Sequence, residues 1–190
     1  MKNPYLFGYL PFVTVVLFSL TFGVYSVGES MTFFKEIGLY QGMREFLSDF
    51  QLRIFLLTMY TLVFFMVFAA LKLIAVTIHE TALLFFLREE ADASYSASKS
   101  GAVIYFIGAL ASAAGIQSWK TLVFIFVITS FVYFIYVVYK LSPFMSLTQT
   151  IGLIFFQIIM WSVLLVALVY ILIRLYNGVL ASVPLSNPVN

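Results

Sequence analysis

The sequence predicts an all-α integral membrane protein, a polytopic bundle of about five transmembrane helices with a short amphipathic interfacial segment. Apolar residues make up 63% of the 190 residues and charged residues 9%, against roughly 45–50% and 25% in typical soluble domains. Roughly 20 apolar residues in an α-helix cross a hydrocarbon core of about 30 Å. The apolar runs predict one membrane domain, 1–190, with transmembrane helices near 5–27, 54–76, 98–116, 121–139 and 151–173.

The first predicted helix starts beside Pro4 and Pro11 and ends at Gly28 and Glu29. A short basic start followed by an apolar run also resembles a signal peptide. Signal peptides, however, have apolar regions of about 7–15 residues, and this run is longer. We therefore expect an uncleaved transmembrane helix.

The segment 30–50 has apolar residues at helical spacing with charged residues between them. This pattern is typical of one or two short amphipathic helices at the membrane interface, broken near Gly38 or Gly42. A cap folded over the bundle would show the same periodicity, so both arrangements stay open. The apolar positions are Phe33, Phe34, Ile37, Tyr40, Met43, Phe46, Leu47 and Phe50.

The second and third predicted helices differ in length and in residue size. Helical periodicity in the second continues past residue 76 to residue 87 without Pro or Gly, and we expect a polar linker over 94–100. The third run is short and needs part of its serine-rich approach to cross the membrane. Its Gly108 and Ser112, four residues apart, allow close approach of helix backbones in lipid, so we expect this helix at the bundle centre.

The fourth predicted helix is strongly aromatic, and its Tyr136 and Tyr139 are typical of the interfacial aromatic belt. Ser142 and Pro143 break the chain before the fifth helix, which we expect to stop at Arg174. Lys and Arg residues divide almost evenly between the two sides of the membrane. The positive-inside rule therefore assigns no orientation.

Several classes of function are excluded by what the sequence lacks. It has no cysteine and one histidine, which removes thiolate catalysis and zinc sites built from imidazole and thiolate. No nucleophile elbow or phosphate loop is present. The net charge is +2, and the basic residues form no cluster in the sequence that could bind nucleic acid. We expect no catalytic residue, metal or cofactor, and as partners the lipid bilayer and either a second copy or another membrane protein.

Three ionisable residues of the second helix are the first candidates for function. Lys72, His79 and Glu80 lie on one stripe, and an ionisable group in a transmembrane segment is a functional hypothesis by default. Glu80 can carry a proton and His79 can relay it. If the span instead runs from residue 54 to about 73, Lys72 snorkels near the membrane exit. His79 and Glu80 then already reach the headgroups.

The remaining candidate is Gln157, which forms an i, i+4 pair with Trp161 on the fifth helix. Its amide is polar enough to hydrogen-bond across helices, a contact that contributes about 0.6–2 kcal/mol in membranes. The same side chain is also available for contact with a substrate. Structural and substrate roles both remain open for this residue.

Four stretches of the chain, 1–9, 65–86, 131–134 and 151–156, share a recognisable pattern. By these stretches the chain resembles the YufK-like family of small integral membrane proteins from Bacillus and relatives. The resemblance implies a bacterial cytoplasmic membrane location and supplies no reaction, substrate or catalytic residue.

Two functions follow from these observations. The first is non-enzymatic association of helices, as an accessory subunit or a homo-oligomer, favoured by the few intramembrane charges and the small residues of the third helix. The alternative is a small transporter or channel component with Lys72 and Glu80 as ion- or proton-linked groups and Gln157 lining the route.

Overall fold

The computed structural model describes the backbone of residues 4–87 and 91–182 and the side chains of residues 8–87 and 101–178. Every regular element in these ranges is helical, so the all-α prediction is confirmed. Two short 3₁₀ helices, Ala113–Gly115 and Ser142–Phe144, follow α4 and α5. The α-helices are α1 Pro4–Glu36, α2 Leu39–Phe46, α3 Asp49–Phe86, α4 Ala91–Ser112, α5 Trp119–Leu141 and α6 Leu147–Ser182.

Four helices are long and apolar enough to cross a membrane, which confirms the membrane helix bundle. They are Gly8–Glu36, Asp49–Phe86, Trp119–Phe144 and Leu147–Gly178. The fifth predicted crossing belongs to α4, whose apolar stretch within the described residues is Gly101–Gly115 and is shorter. The sequence also indicated that this run was the short one.

Three predicted boundaries are wrong. Helix α1 does not end at Gly28 and Glu29 but continues to Glu36, because Met31 is buried against α3. The expected linker 94–100 is helical and belongs to α4, which begins at Ala91. Helix α6 passes Arg174, with no proline to stop it before residue 182. Residues 88–90 and the residues from 183 onward lie outside the described residues.

Helix α2 caps the hairpin of α1 and α3. The chain breaks at Gly38, whose φ of 75° is the left-handed conformation that favours glycine. Tyr40 and Met43 of α2 then pack against a buried cluster from α1 and α3, and the Tyr40 hydroxyl donates to Asp49 Oδ1 at 2.6 Å. Ser48 starts α3 with a capping box. The cluster consists of Val27, Met31, Leu52 and Leu56.

Among the four long apolar spans, α1 is the most enclosed. Of the residues in its most apolar stretch 44% are buried, against 6–17% in the other three spans. Phe18 and Phe22 of α1 contact Phe68 of α3, and Phe18 also contacts Phe126 of α5. Large aromatic rings fill the centre, and α4 lies between α1 and α5.

The two small residues predicted to pack α4 face different neighbours. A side chain at Gly108 would collide with Thr129 of α5, so the missing Cβ sets the α4–α5 approach. Ser112 is fully buried, and its hydroxyl lies 3.0 Å from the hydroxyl of Thr21 on α1. Helix α4 therefore uses small residues on both of its packed faces.

Helix α6 is attached to the bundle through its first half. Gly152 faces Phe86, and Phe156 contacts Phe85 and Phe86, all near the end of α3. Between residues 163 and 178 every described side chain is exposed except Leu164, which is partly buried. The second half of α6 thus stands free of the described part of the chain.

Candidate polar site between α3 and α6

Two of the predicted polar residues meet where α3 and α6 cross. The Nδ1 atom of His79 lies 3.0 Å from Nε2 of Gln157, although 78 residues separate them in sequence. Gln157 is only 7% exposed and His79 is partly buried. We call this contact the α3–α6 polar pair.

The antiparallel register of the two helices brings the pair together. Gly152 of α6 accommodates the ring of Phe86, which lets the helices approach near the end of α3. His79 lies seven residues before Phe86, about two helical turns, and Gln157 lies five residues after Gly152. Small and aromatic residues therefore set the spacing at which the imidazole and the amide meet.

The pair leaves one imidazole nitrogen without a partner. With the amide nitrogen of Gln157 facing the ring, Nδ1 accepts the hydrogen bond and the neutral imidazole carries its proton on Nε2. The Nε2 atom is buried and has no hydrogen-bond partner in the described part of the chain. A buried donor in this state costs roughly 1–3 kcal/mol, so it is a point at which a further acceptor would stabilise the protein.

The other two predicted residues do not join the pair. Lys72 and Glu80 are exposed, and within the described residues neither makes a hydrogen bond or an ion pair. Over the same residues, no three His, Cys, Asp or Glu side chains come together as a metal site. The structure thus joins His79 to Gln157 and leaves Lys72 and Glu80 on the surface of α3.

Other polar contacts between helices were missed by sequence reasoning. Hydroxyl groups pair between α1 and α3 and between α4 and α5. Hydroxyl side chains in helices commonly bond the carbonyl four residues earlier, as Ser19 does with Val15, so residue type gives no sign of an interhelical pair. The missed pairs are Ser30–Tyr60 at 2.6 Å and Tyr105–Ser130 at 3.1 Å.

Comparison with known proteins adds one family and one named relative. A family model described as a family of unknown function, DUF5366, matches residues 27–184. An uncharacterized membrane protein of Bacillus subtilis, YufK, is 32% identical over 184 residues, which cover 97% of this chain and all of the relative. No solved structure matches. With four apolar helices, this likeness identifies a multi-pass protein of the bacterial cytoplasmic membrane.

Proposed function

The chain belongs to the family of unknown function DUF5366, and we propose that it acts without catalysis, through association of its transmembrane helices. It would serve either as an accessory subunit of another membrane protein or as a homo-oligomer. The half-attached helix α6 is the observation that carries this proposal. Its free half offers a long apolar surface on which a second helix can pack.

The free half of α6 differs from an ordinary peripheral helix. Helices at the edge of a membrane bundle normally keep one face against their neighbours along the whole span. In α6 that contact stops near Trp161, and the next 17 residues to Gly178 extend about 25 Å with little cover. A helix whose surface is not covered by its own bundle can pack against a helix of another protein chain.

The polar side chains inside the described bundle support a packing role. The pairs Thr21–Ser112, Ser30–Tyr60 and Tyr105–Ser130 each join two neighbouring helices, and none of these pairs shares a residue with another. Isolated pairs of this kind fix helix contacts in lipid. A transport route would need polar groups in succession across several helices.

The test is a cysteine scan of α6 in native membranes, for which the cysteine-free chain is well suited. One face is sampled by single variants Val166→Cys, Val169→Cys and Ile173→Cys, and the opposite face by Leu168→Cys and Leu175→Cys. Association predicts that one of these faces is protected from a lipid-phase alkylating reagent. Equal labelling of both faces contradicts the proposal.

A small transporter or channel component is the second candidate, favoured by the unpartnered Nε2 of His79. In that function His79 passes protons between Glu80, the next residue, and a route lined by Gln157. Purified protein in vesicles should then carry a proton flux that His79→Leu abolishes, while the exposed-site control Thr77→Val leaves it unchanged. Absence of a flux above that of empty vesicles rejects this candidate.

A further inference from the structure

We propose that Lys72 is the docking point for a carboxylate near the middle of a transmembrane helix of a different membrane protein. The inference rests on the proposed association function and specifies the chemistry of the partner. It follows from the depth of Lys72 in the membrane, the face of α3 on which it lies and the positions of the acidic residues of the chain.

The depth of Lys72 can be read from α5. The apolar span of α5 is bounded by Trp119 and Lys120 at one end and by Tyr139 and Lys140 at the other. Aromatic and basic residues of this kind are typical of the two membrane–water interfaces. Phe68 of α3 contacts Phe126, and fifteen residues farther along α3, Leu83 packs with the cluster of Val137 and Leu141. Helices α3 and α5 therefore run in parallel.

Lys72 follows Phe68 by four residues, so it lies level with Ser130, four residues after Phe126. Ser130 is midway between Lys120 and Lys140. The aligned helices therefore place the backbone of Lys72 near the middle of the bilayer.

Contacts of two other helices, α4 and α6, place Lys72 at the same depth. Gly108, in the middle of the apolar stretch of α4, faces Thr129, which is next to Ser130 in sequence. On α6, Gln157 faces His79, so the antiparallel register sets Lys72 opposite residue 164, close to the middle of the span 147–178. The apolar run of α3 taken alone is centred about seven residues before Lys72. It begins earlier because the first part of α3 packs against α1 beyond the level of the turn between α4 and α5.

Snorkelling does not relieve a charge at this depth. In a hydrocarbon core of about 30 Å the headgroups begin roughly 15 Å from the midplane. The four-carbon stem of lysine does not reach that far. An ammonium group held there requires a counter-charge or water.

The side chain of Lys72 faces a gap between two contacts. Phe65, Lys72 and His79 follow one another at intervals of seven residues and so lie on one stripe of α3. Phe65 contacts Phe12 of α1, and His79 contacts Gln157 of α6. Lys72 between them is exposed, and no described side chain of α1 or α6 covers it.

The occupant of this gap is not a second copy of the chain. Glu80 is the acidic residue nearest to the level of Lys72, and eight residues along a helix amount to about 12 Å. In a parallel dimer it would therefore lie far from the ammonium group. The remaining acidic residues lie beyond the apolar runs and are Glu29, Glu36, Glu45, Asp49, Glu89, Glu90 and Asp92.

The first experiment measures depth with nitroxide labels on single-cysteine variants of the full chain in vesicles. Leu62→Cys, Leu73→Cys and Leu84→Cys replace exposed residues along α3. Collision with oxygen should be strongest at residue 73 and weaker at residues 62 and 84. An oxygen collision maximum at residue 62 would place Lys72 near the membrane surface and overturn the proposal.

Hydration is tested with a label at Lys72→Cys. A partner site in lipid predicts low collision with a water-soluble nickel relaxant, comparable to that at residue 73. High nickel collision at residue 72 alone would show a water-filled route. That result overturns the docking proposal in favour of transport.

The second experiment uses synthetic polyleucine helices as probes, each about 20 residues long to span the bilayer. One probe carries glutamate at its centre, one carries leucine there, and one carries the glutamate eight residues from the centre. We expect the centred glutamate probe to bind the protein at least tenfold more tightly than the other two, as measured by energy transfer in vesicles. Equal binding of the three probes refutes the proposal.

Variants of Lys72 identify the group responsible. Lys72→Leu should abolish the tenfold preference, Lys72→Arg should retain it, and Lys72→Glu should transfer it to a lysine-centred probe. Retention of the preference in Lys72→Leu contradicts the assignment. If one face of α6 is protected while no probe is preferred, the association function stands and the carboxylate partner is rejected.

Discussion

The side-chain amide of Gln157 donates to Nδ1 of His79 across 3.0 Å, the only described hydrogen bond between side chains of α3 and α6. Because α6 has few other attachments, this bond and the phenylalanine contacts beside it hold α6 in register on α3. The bond connects the two helices near the end of α3, and the rest of α6 extends from it as a free arm.

Removing the amide should loosen this attachment. Gln157→Leu is expected to lower the free energy of unfolding by about 0.6–2 kcal/mol, the range for interhelical hydrogen bonds in membranes. Thr77→Val is the control, because the Thr77 hydroxyl is exposed and bonds only a carbonyl of its own helix. A double-mutant cycle with His79→Leu in detergent measures the coupling, and strictly additive effects would contradict a direct bond.

The packing of α4 on α5 should not tolerate a large residue at Gly108. Gly108→Leu places a branched side chain where Thr129 already lies, and overpacking of this kind typically costs about 1–3 kcal/mol. Gly28→Leu is the matched control, since nothing lies within 4 Å of a Cβ at that position. Thermal unfolding and size in detergent report both effects, and equal stability of the two variants would reject close packing at Gly108.

The turn before α2 depends on backbone conformation alone. Gly38 has a φ of 75° and open space around it, so Gly38→Ala should destabilise the protein by roughly 1–2 kcal/mol through left-handed strain. Gly42 lies inside α2, also in open space, and Gly42→Ala should stabilise by roughly 0.5–1 kcal/mol. Unfolding of both variants in denaturant is the measurement, and effects of the same sign would contradict the assigned turn.

Docking of α2 should depend on pH through Tyr40. The hydrogen bond from its hydroxyl to Asp49 raises the pKa of Tyr40 above its ordinary value of 10.0, since the nearby carboxylate opposes ionisation. The contribution of this bond is therefore complete below pH 10 and is lost as the pH rises through the higher pKa of the folded state. Amide exchange in residues 39–46 should be slow at neutral pH and accelerate there.

The tyrosine absorbance titration provides the check on this mechanism. The difference between wild type and Tyr40→Phe isolates the ionisation of Tyr40, and Asp49→Asn should move its midpoint back toward 10.0. An unchanged midpoint in Asp49→Asn would show that the carboxylate is not the cause. Rapid amide exchange throughout 30–50 at neutral pH would contradict the cap itself.

Lys72 should lower the stability of the protein when no partner is bound. Within the described residues it has no partner, and a lysine at the middle of a bilayer costs about 2.5–3.5 kcal/mol on insertion scales. Lys72→Leu should therefore leave stability unchanged or raise it, as measured by thermal unfolding without a partner. With Glu80→Gln the effects should add, because both side chains are exposed and no bond joins them; coupling above about 1 kcal/mol would indicate a pair.

The transmembrane helices were predictable because crossing a bilayer core of about 30 Å requires roughly 20 consecutive apolar residues, whereas several helix ends were not predictable. Gly28 and Glu29 carry the local signals of a helix end, yet α1 continues because Met31 is buried beside Leu52 and Leu56. Those contacts come from α3, more than twenty residues later. A boundary decided by tertiary packing leaves no local trace in the sequence.

The candidate site, too, could be predicted from the sequence only in part. Spacing alone put Lys72, His79 and Glu80 near one face of α3, and residue type alone identified Gln157 as a polar group in an apolar helix. The contact between His79 and Gln157 depends on the register of two helices distant in sequence. That register is fixed by the fit of Phe86 against Gly152, which no periodicity predicts.

The uninterrupted length of α3 has a mechanical consequence. Its 38 residues extend about 57 Å without a proline or glycine, the usual positions of helix kinks. Such a helix behaves as a stiff lever, with the α2 cap at one end and the His79–Gln157 bond at the other. A tilt imposed on the cap at one membrane surface therefore displaces the base of α6 at the opposite surface, so that events on the two sides of the bilayer are coupled through a single rigid rod.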